Sequence, residues 1–309
     1  MSSVKISAPA SIANLGPGFD VFAISLSSPR DFVEATLSDS LSIVEVTGRN
    51  SSDIPKDPSK NSVTIAASKV MSYLDVEQGL KFKIEKGIPI ERGLGGSGAS
   101  AVAGAIAANE LLGGELSASE IIEAAAFAEG KIAGTPHYDN VAASTLGSFI
   151  IVSSTNPLDF IEIHPPEMKI VVAVPEDRAS TKDGREILSK SISLRDISGN
   201  IGRASTMVAA LKDGDLSTFA KHMIDDLVEP IRASKIPGFL KAKNAALDAG
   251  ALGAAMAGAG PSVFAVLDSE EDLGEVKKAM KDAFEREGQE CEMLETRPGL
   301  GPEISWEGD

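Results

Sequence analysis

A glycine-rich loop followed by a helix of small residues is the feature that most constrains this fold. The segment Gly93-Leu-Gly-Gly-Ser-Gly-Ala-Ser100 comes directly after a stretch, 81–86, that alternates like a strand. Glycines let the backbone approach a ligand closely, and the first turn of a helix offers unpaired N–H groups and a positive dipole end. The loop therefore predicts a phosphate cradle, although a tight strand-to-helix turn packed against a neighbour stays open as the alternative.

Two familiar phosphate-binding motifs do not account for this loop. It matches the G-x-G-x-x-G spacing of dinucleotide-binding folds, but Gly113 and Gly114 lead into another helix instead of the second strand that such a fold needs. No lysine follows the glycines, which excludes a Walker A motif. The loop is therefore a third kind of phosphate site.

The lysines before the loop divide by strand parity. Lys81 and Lys83 share the polar face of an alternating strand and are expected to be solvated. Lys86 has the parity of Phe82 and Ile84, which predicts a side chain turned toward a nucleotide pocket.

The composition is that of an acidic globular protein. The 309 residues suffice for about two domains. The formal net charge of −16 argues against nucleic acid or an anionic membrane as a partner. A single cysteine, Cys291, excludes an intramolecular disulfide. The most apolar stretch, 247–267, is interrupted by glycines and a proline, so it is not expected to span a membrane. These features predict a cytoplasmic protein.

Hydrophobic periodicity predicts an α+β protein with two domains, divided after residue 165 at Pro165-Pro166 into 1–165 and 166–309. The first is expected to be a mixed α/β domain that carries the glycine loop. The second resembles a split β-α-β, ferredoxin-like plan with inserted helices. Strands are predicted at 4–8, 32–37, 41–47, 81–86, 147–163 (a pair), 169–174, 252–256, 263–267 and 291–295; helices at 62–74, 97–112, 118–133 and 270–285; and an irregular loop at 14–20.

Three segments, in order, resemble the motifs of the galactokinase, homoserine kinase and mevalonate kinase (GHMP) superfamily. Residues 9–20, 89–100 and 257–262 resemble the first, second and third motifs, and in the family the third packs near the phosphate loop. Segments 137–142, 180–185 and 229–232 look like the homoserine kinase branch. The resemblance spans almost the whole chain. It implies ATP and Mg²⁺ as cofactors and homoserine as the phosphoryl acceptor, and it leaves a homodimer open.

The resemblance also implies the nucleotide site. Glu129 shares a helical stripe with Ile122, Ala126 and Ala133, so its carboxylate points inward and needs a partner. That partner is implied to be Mg²⁺, together with the Ser97 hydroxyl, an ion pair with an arginine being the alternative. The family usually has a serine where this chain has Gly96, which still offers its N–H. The implied nucleotide-binding residues are Pro89, Gly93, Leu94, Gly95, Gly96, Ser97, Gly98, Asn61 and Lys86, of which Asn61 and Lys86 are implied to contact the adenine.

The implied acceptor is a zwitterionic amino acid with a hydroxyl group. Arg185 and Arg232 fit its carboxylate, because a guanidinium binds carboxylates in a bidentate manner. Asp20 is implied for its ammonium, with Asn14 in the same loop. His137 is either substrate-binding or structural.

The resemblance places Asn140 and Thr181 among the catalytic residues. Sister enzymes have an aspartate base where this chain has Asn140, so catalysis is expected to depend on alignment and charge stabilisation. Asp139 stays open as a base or a helix cap.

Two other functions stay open. Arg185 and Arg232 fit any carboxylate, which leaves mevalonate or archaeal-type shikimate kinase as alternatives. The other open function is a nucleotide-binding regulator that does not catalyse phosphoryl transfer, which only Gly96 and Gly98 favour.

Overall fold

Two β-sheets organise the chain, one of seven strands and one of four. The computed structural model describes residues 3–179, 181–188 and 191–307, and the side chains of 181–183 and 307 lie outside that description. The strands are β1 (Ser3–Asn14), β2 (Gly18–Ser38), β3 (Ser42–Gly48), β4 (Gly79–Lys86), β5 (Phe149–Thr155), β6 (Leu158–Ile163), β7 (Lys169–Pro175), β8 (Gly253–Met256), β9 (Val263–Leu267), β10 (Cys291–Thr296) and β11 (Glu303–Glu307).

The helices fall into two groups. The first lobe, the seven-stranded sheet and its helices, has α1 (Ser62–Leu74), α2 (Gly96–Leu111), α3 (Ala118–Ala133) and α4 (Tyr138–Leu146). The second lobe, the four-stranded sheet and its helices, has α5 (Thr181–Glu186), α6 (Leu194–Asp213), α7 (Leu216–Lys221), α8 (Glu229–Ala233), α9 (Phe239–Asp248) and α10 (Leu273–Glu285). The α+β prediction is confirmed.

The first sheet has the order β11-β1-β2-β4-β3, and β5 joins β2 to β6. The alternation of β4 is as predicted: Lys81 and Lys83 are exposed, and Lys86 is buried on the face of Phe82 and Ile84. The helix α2 is buried nearly all round, as its small residues allow, and it packs on β1 and β2. A Cβ at Gly104 would lie 2.4 Å from the Val63 carbonyl oxygen, so this glycine sets the close approach of α2 to α1.

The second sheet has the order β10-β7-β9-β8, which is the strand order of a split β-α-β fold. Helices α9 and α10 pack against it around their own apolar core, in which Phe239 and Phe284 are fully buried. Helices α5 to α9 fill the connection from β7 to β8. The ferredoxin-like plan with inserted helices is thereby confirmed.

The last strand belongs to the first lobe. β11 pairs antiparallel with β1, from Ser3 opposite Glu307 to Ser7 opposite Glu303. The chain therefore crosses between the lobes twice, after β6 and again after β10. No pattern in the sequence indicated this return, and the division at residue 165 stays a prediction.

The expectation of an irregular loop over 14–20 is wrong in extent. β1 continues to Asn14 and β2 begins at Gly18, so only residues 15–17 lie outside the strands. Asn14, Leu15 and Asp20 adopt left-handed conformations with φ of 72°, 46° and 57°. Asn and Asp tolerate this region better than other non-glycine residues, which lets the hairpin turn sharply without glycine at those positions.

No helix formed by residues within the described ranges is long and apolar enough to cross a bilayer.

Candidate active site

The glycine loop is wedged between the two lobes. Gly93 has φ of 75°, and a Cβ there would lie 1.9 Å from the carbonyl oxygen of Ala257. Gly258, with φ of 55°, would carry a Cβ 2.9 Å from the carbonyl oxygen of Gly93. The two backbones are therefore in direct contact, and this contact excludes side chains at both positions. It joins the predicted phosphate loop to the segment that resembles the third family motif.

The loop opens into a cleft of about 470 Å³ between the lobes. Gly95 has φ of 64° and precedes the first turn of α2, and Gly96, Ser97 and Gly98 of that turn line the cleft. The structure brings every predicted site residue to this cleft except Thr181, whose side chain lies outside the described residues.

Ser97, Glu129 and His137 form a chain of contacts beside the loop. The Ser97 hydroxyl donates to Oε1 of Glu129, and Nδ1 of His137 lies 3.3 Å from Oε2. Glu129 is buried, as its helical stripe predicted. Among the described residues no arginine pairs with Glu129, so the alternative of an arginine ion pair is wrong.

Within this group of contacting residues, the pKa of His137 is shifted from its ordinary value. Burial lowers the pKa of His137, but the hydrogen bond and charge of Glu129, with the charge of Asp139, outweigh it and raise the pKa overall. Nε2 of His137 is buried and has no hydrogen-bond partner among the described residues. The described residues hold no cluster of three or more His, Cys, Asp and Glu side chains fit for a metal ion. The Ser97 hydroxyl and Glu129 carboxylate do fit Mg²⁺, which usually takes one or two protein oxygens and completes its shell with phosphate and water.

Two residues expected at the adenine have their polar side-chain atoms engaged with the protein. Asn61 caps α1: its Oδ1 accepts from the N–H of Val63 at 3.0 Å, and its Nδ2 donates to the Pro55 carbonyl at 2.8 Å. The Lys86 ammonium bonds to Asp31, to the Ser100 hydroxyl and to the Gly96 carbonyl. The contacts of Asn61 and Lys86 with the adenine of the nucleotide stay predictions.

Two guanidinium groups converge on one aromatic ring at the other end of the cleft. The Cζ atoms of Arg185 and Arg232 lie 5.3 and 5.5 Å from the ring centre of Phe19. Arg185 donates to Asp20 at 2.7 Å, whereas no described carboxylate pairs with Arg232. Burial, followed by the positive charge of Arg185, lowers the pKa of Arg232. A pair of cations with one carboxylate between them attracts a further anionic group.

Backbone contacts hold the guanidinium of Arg232 in place. Arg232 is buried and donates to the carbonyls of Gly184 at 3.0 Å and Gly258 at 3.2 Å. Asn14 donates to the same Gly258 carbonyl at 2.8 Å and accepts from the N–H of Asp20 at 3.1 Å. The hairpin between β1 and β2 and the turn at Gly258 are therefore joined by hydrogen bonds along this side of the cleft.

The start of α4 brings Asp139 and Asn140 between these two ends. The Ser11 hydroxyl donates to Oδ1 of Asn140 at 2.9 Å, and the N–H of Asn140 donates to Asp139 at 2.8 Å. Burial raises the pKa of Asp139 to about 6; the hydrogen bond from Asn140 opposes this shift, and the charge of Asp20 adds to it. The carboxylate is thus engaged within the first turn of α4, but the N-cap position is His137 and has no side-chain cap bond, so the structure does not show Asp139 as the helix cap.

Sequence reasoning did not single out Ser11, Phe19, Asp31 or Ser100. Asp31 carried a signal, because it has the parity of the apolar residues Val33 and Ala35 in β2. The others lie within quoted motifs, where nothing in the spacing distinguished them.

The two-lobed α+β fold and the glycine loop at the lobe junction define a small-molecule kinase of the GHMP class. Residues 61–148 match the model of the GHMP kinases N terminal domain, and residues 207–286 match that of the GHMP kinases C terminal. These two ranges cover most of the cleft-lining elements.

Comparison with individual proteins narrows the class. The chain is 43% identical over 298 residues to homoserine kinase of Pyrococcus furiosus, which covers 96% of this chain and 99% of the relative. A crystal structure of homoserine kinase from Cytophaga hutchinsonii matches with a TM-score of 0.93 and 36% identity, over 98% of this chain and 97% of the other. The chain belongs to the homoserine kinase family of GHMP kinases, whose members use ATP and a small-molecule acceptor.

A more distant likeness concerns the fold alone. The structure of L. major mevalonate kinase in complex with R-mevalonate matches with a TM-score of 0.76 and 19% identity, over 96% of each chain.

Proposed function

We propose that the protein transfers the γ-phosphoryl group of ATP to the side-chain hydroxyl of L-homoserine, giving O-phosphohomoserine and ADP. The observation that carries this proposal is the pair of guanidiniums over Phe19, which faces the glycine loop across one cleft. The relatives named homoserine kinase over nearly the full chain support the same acceptor.

The phosphates bind at Gly93 to Ser97 and the first turn of α2. With a net charge of −16 the protein repels anions at long range, so local N–H groups and cations must hold the triphosphate. Ser97 and Glu129 would hold Mg²⁺, which would neutralise charge on the phosphate oxygens. His137 contacts Oε2 of Glu129, while Oε1 accepts from the Ser97 hydroxyl, so the two oxygen ligands lie side by side.

The acceptor is held at its charged groups. Arg232 and Arg185 bind the carboxylate, and Asp20, already beside Arg185, accepts from the ammonium. Asn14 fixes the backbone of Asp20, and His137, whose Nε2 has no hydrogen-bond partner among the described residues, lines the same cleft. Mevalonate and shikimate lack an ammonium group, so Asp20 favours the amino acid.

Catalysis relies on alignment. Asn140 cannot accept a proton. Ser11 occupies its carbonyl oxygen, and its amide N–H₂ lies 3.5 Å from Oδ1 of Asp139, which leaves one N–H to donate toward the reacting groups. The homoserine oxygen forms a bond to the γ-phosphorus as the bond to the ADP oxygen breaks, and the hydroxyl proton passes to an oxygen of the transferred group. A loose transition state needs positioning more than a strong base. The role of Thr181 stays a proposal from the family resemblance.

A coupled assay of ADP release over homoserine, threonine, shikimate and mevalonate tests the proposal. We expect kcat/KM for homoserine to exceed that for the other three acceptors by at least about a hundredfold, equivalent to ~2.7 kcal/mol. A preference for mevalonate or shikimate would identify a different kinase of the class. ATP binding without turnover of any acceptor would indicate a regulator. A Glu129→Gln variant in parallel separates enzymatic from background release.

A further inference from the structure

A buried ionic network lies beneath the start of α2. The Lys86 ammonium at the end of β4 forms an ion pair with Asp31 of β2, donates to the Ser100 hydroxyl at 2.7 Å and donates to the Gly96 carbonyl at 3.1 Å. The side chains of Lys86 and Asp31 are 3% and 0% exposed. A lysine ammonium has three donors, so none is left over for a ligand.

Asp31 is equally saturated. Its Oδ1 accepts from the N–H groups of Gly87 and Ile88, each at 3.0 Å, and its Oδ2 accepts from Ser100 at 2.7 Å. The network therefore ties together β2, the end of β4, the backbone that leads into the glycine loop and the first turns of α2. Desolvating two charges is costly even when they pair, so the pair is a poor device for stability alone.

We propose that Asp31, Lys86 and Ser100 are positioning residues for the nucleotide phosphates: they hold the Gly87–Gly96 segment in its phosphate-binding shape without touching the ligand. The proposal rests on the placement of the phosphates at this loop. It reassigns the Lys86 side chain from an adenine contact to a support under the loop.

The physical reason is the conformational freedom of the loop. The segment from Gly93 to Gly98 contains four glycines, and glycine has more backbone conformational entropy than any other residue type when it is unconstrained. That entropy must be lost when phosphates bind. Gly96 has no side chain with which to anchor itself. A fixed carbonyl at Gly96 and fixed N–H groups at Gly87 and Ile88 restrict the loop at both ends before the ligand arrives, and such preorganisation improves affinity.

Lys86→Met tests the proposal against Lys83→Met. Lys83 lies on the same strand and pairs with Glu34 of β2 at 3.1 Å, but on the exposed face. The dissociation constant of a magnesium–ATP analogue that cannot be hydrolysed is measured by calorimetry, with KM for the acceptor and Tm alongside. We expect Lys86→Met to weaken nucleotide binding at least about tenfold, with acceptor KM within about twofold, and Lys83→Met to change neither. Unchanged nucleotide affinity in folded Lys86→Met overturns the proposal.

The double variant Lys86→Met/Asp31→Asn separates positioning from stability. Lys86→Met alone leaves an unpaired buried carboxylate and is expected to lower Tm; Asp31→Asn removes that charge and keeps an acceptor for Gly87 and Ile88. We expect Tm to recover in the double variant while nucleotide affinity stays weak. The reason is that the Gly96 carbonyl still lacks the hydrogen bond that the Lys86 ammonium donates in the wild type. Affinity that returns together with Tm would make the network a stability element only. If Lys86→Met fails to fold, Ser100→Ala tests whether the network positions the loop. We expect it to weaken nucleotide binding, but by less than Lys86→Met would. Wild-type protein that does not bind the nucleotide would refute the proposed function instead.

Discussion

The Ser11 hydroxyl in β1 donates to the side-chain carbonyl of Asn140 in α4 across 2.9 Å. This bond fixes which end of the Asn140 amide faces the reacting groups. The two residues also enclose Gly95, at which a Cβ would lie 2.3 Å from the Ser11 oxygen and 2.9 Å from Oδ1 of Asn140. The orientation of the amide and the shape of the glycine loop are therefore coupled.

Ser11→Ala should lower kcat for homoserine about tenfold, equivalent to ~1.4 kcal/mol, because the amide of Asn140 is then free to turn. Both KM values should change little. Ser144→Ala is the matched control: Ser144 joins the same helix to the same strand by donating to the Pro9 carbonyl at 2.9 Å, away from the cleft. Equal losses of kcat in the two variants would show that the Ser11 effect is general loosening of α4 against β1.

Glu129→Gln should lower kcat by at least about tenfold and raise the Mg²⁺ concentration needed for half-maximal rate. Thermal stability should hold or rise, because an inward charge disappears. Glu123→Gln, earlier on the same helix, contacts Tyr73 outside the cleft and should leave both quantities unchanged. A Glu129→Gln protein that unfolds easily yet is fully active while folded would make Glu129 structural.

Asp139→Asn should leave kcat within about tenfold, well short of the roughly 10²–10⁴-fold that a general base contributes. Asn keeps an oxygen that can accept from the N–H of Asn140. A larger loss with substrate binding intact would identify Asp139 as the base.

The same variant has a signature in stability against pH. The folded pKa of Asp139 is raised to about 6, above its ordinary 3.8, so the folded state binds a proton more tightly than the unfolded state. Its stabilising effect is complete below the unfolded pKa and is lost as pH rises through 6. Asp139→Asn should therefore gain stability over wild type by about 1.4 kcal/mol per pH unit between pH 4 and 6, and keep that gain above pH 6. Denaturant unfolding at several pH values measures it; a constant difference would contradict the raised pKa.

Arg185→Ala and Arg232→Ala, made separately, should each lower kcat/KM for homoserine by about 1.5 to 3.5 decades, from a cost of roughly 2–5 kcal/mol for an unpaired buried carboxylate. Arg232 is the more buried of the two and should show the larger loss. KM for ATP should barely move. Arg178→Ala serves as control, because Arg178 pairs with Asp53 at 2.7 Å near the cleft but away from Phe19. Equal effects on ATP and homoserine would place the arginines outside the acceptor site.

Gly93→Ala should abolish nucleotide binding, because its Cβ would collide with the Ala257 carbonyl at 1.9 Å. Gly113→Ala has a similar φ of 63° but no atom within 4 Å of the new Cβ, so it should cost only about 1 kcal/mol of stability. Calorimetric titration and thermal melts compare them. Normal nucleotide affinity in Gly93→Ala would mean that the contact between the lobes is not needed for the loop.

The sequence predicted features that depend on local spacing. The glycine loop, the inward direction of Glu129 and the buried parity of Lys86 all follow from periodicity within one element, and each is found in the structure.

What the sequence could not predict depends on pairing between distant elements. Lys86 faces inward by parity, but its partner Asp31 is set by the register of β2 against β4, in which Phe32 lies opposite Glu85. Ser11 and Asn140 are 129 residues apart and meet only because α4 packs on β1. The short turn at 15–17 could not be predicted either, because three non-glycine residues adopt left-handed conformations that only the finished hairpin stabilises.

The pairing of β11 with β1 also has a consequence for biosynthesis. A ribosome adds roughly 5–20 residues per second, so β1 waits about 15 to 60 s for the strand that completes its sheet. Throughout that time the outer edge of β1 exposes unpaired backbone groups, which are a template for pairing with other chains. The nascent protein is thus expected to need chaperone protection until its final residues emerge, even though the glycine loop and α1 to α4 were translated long before.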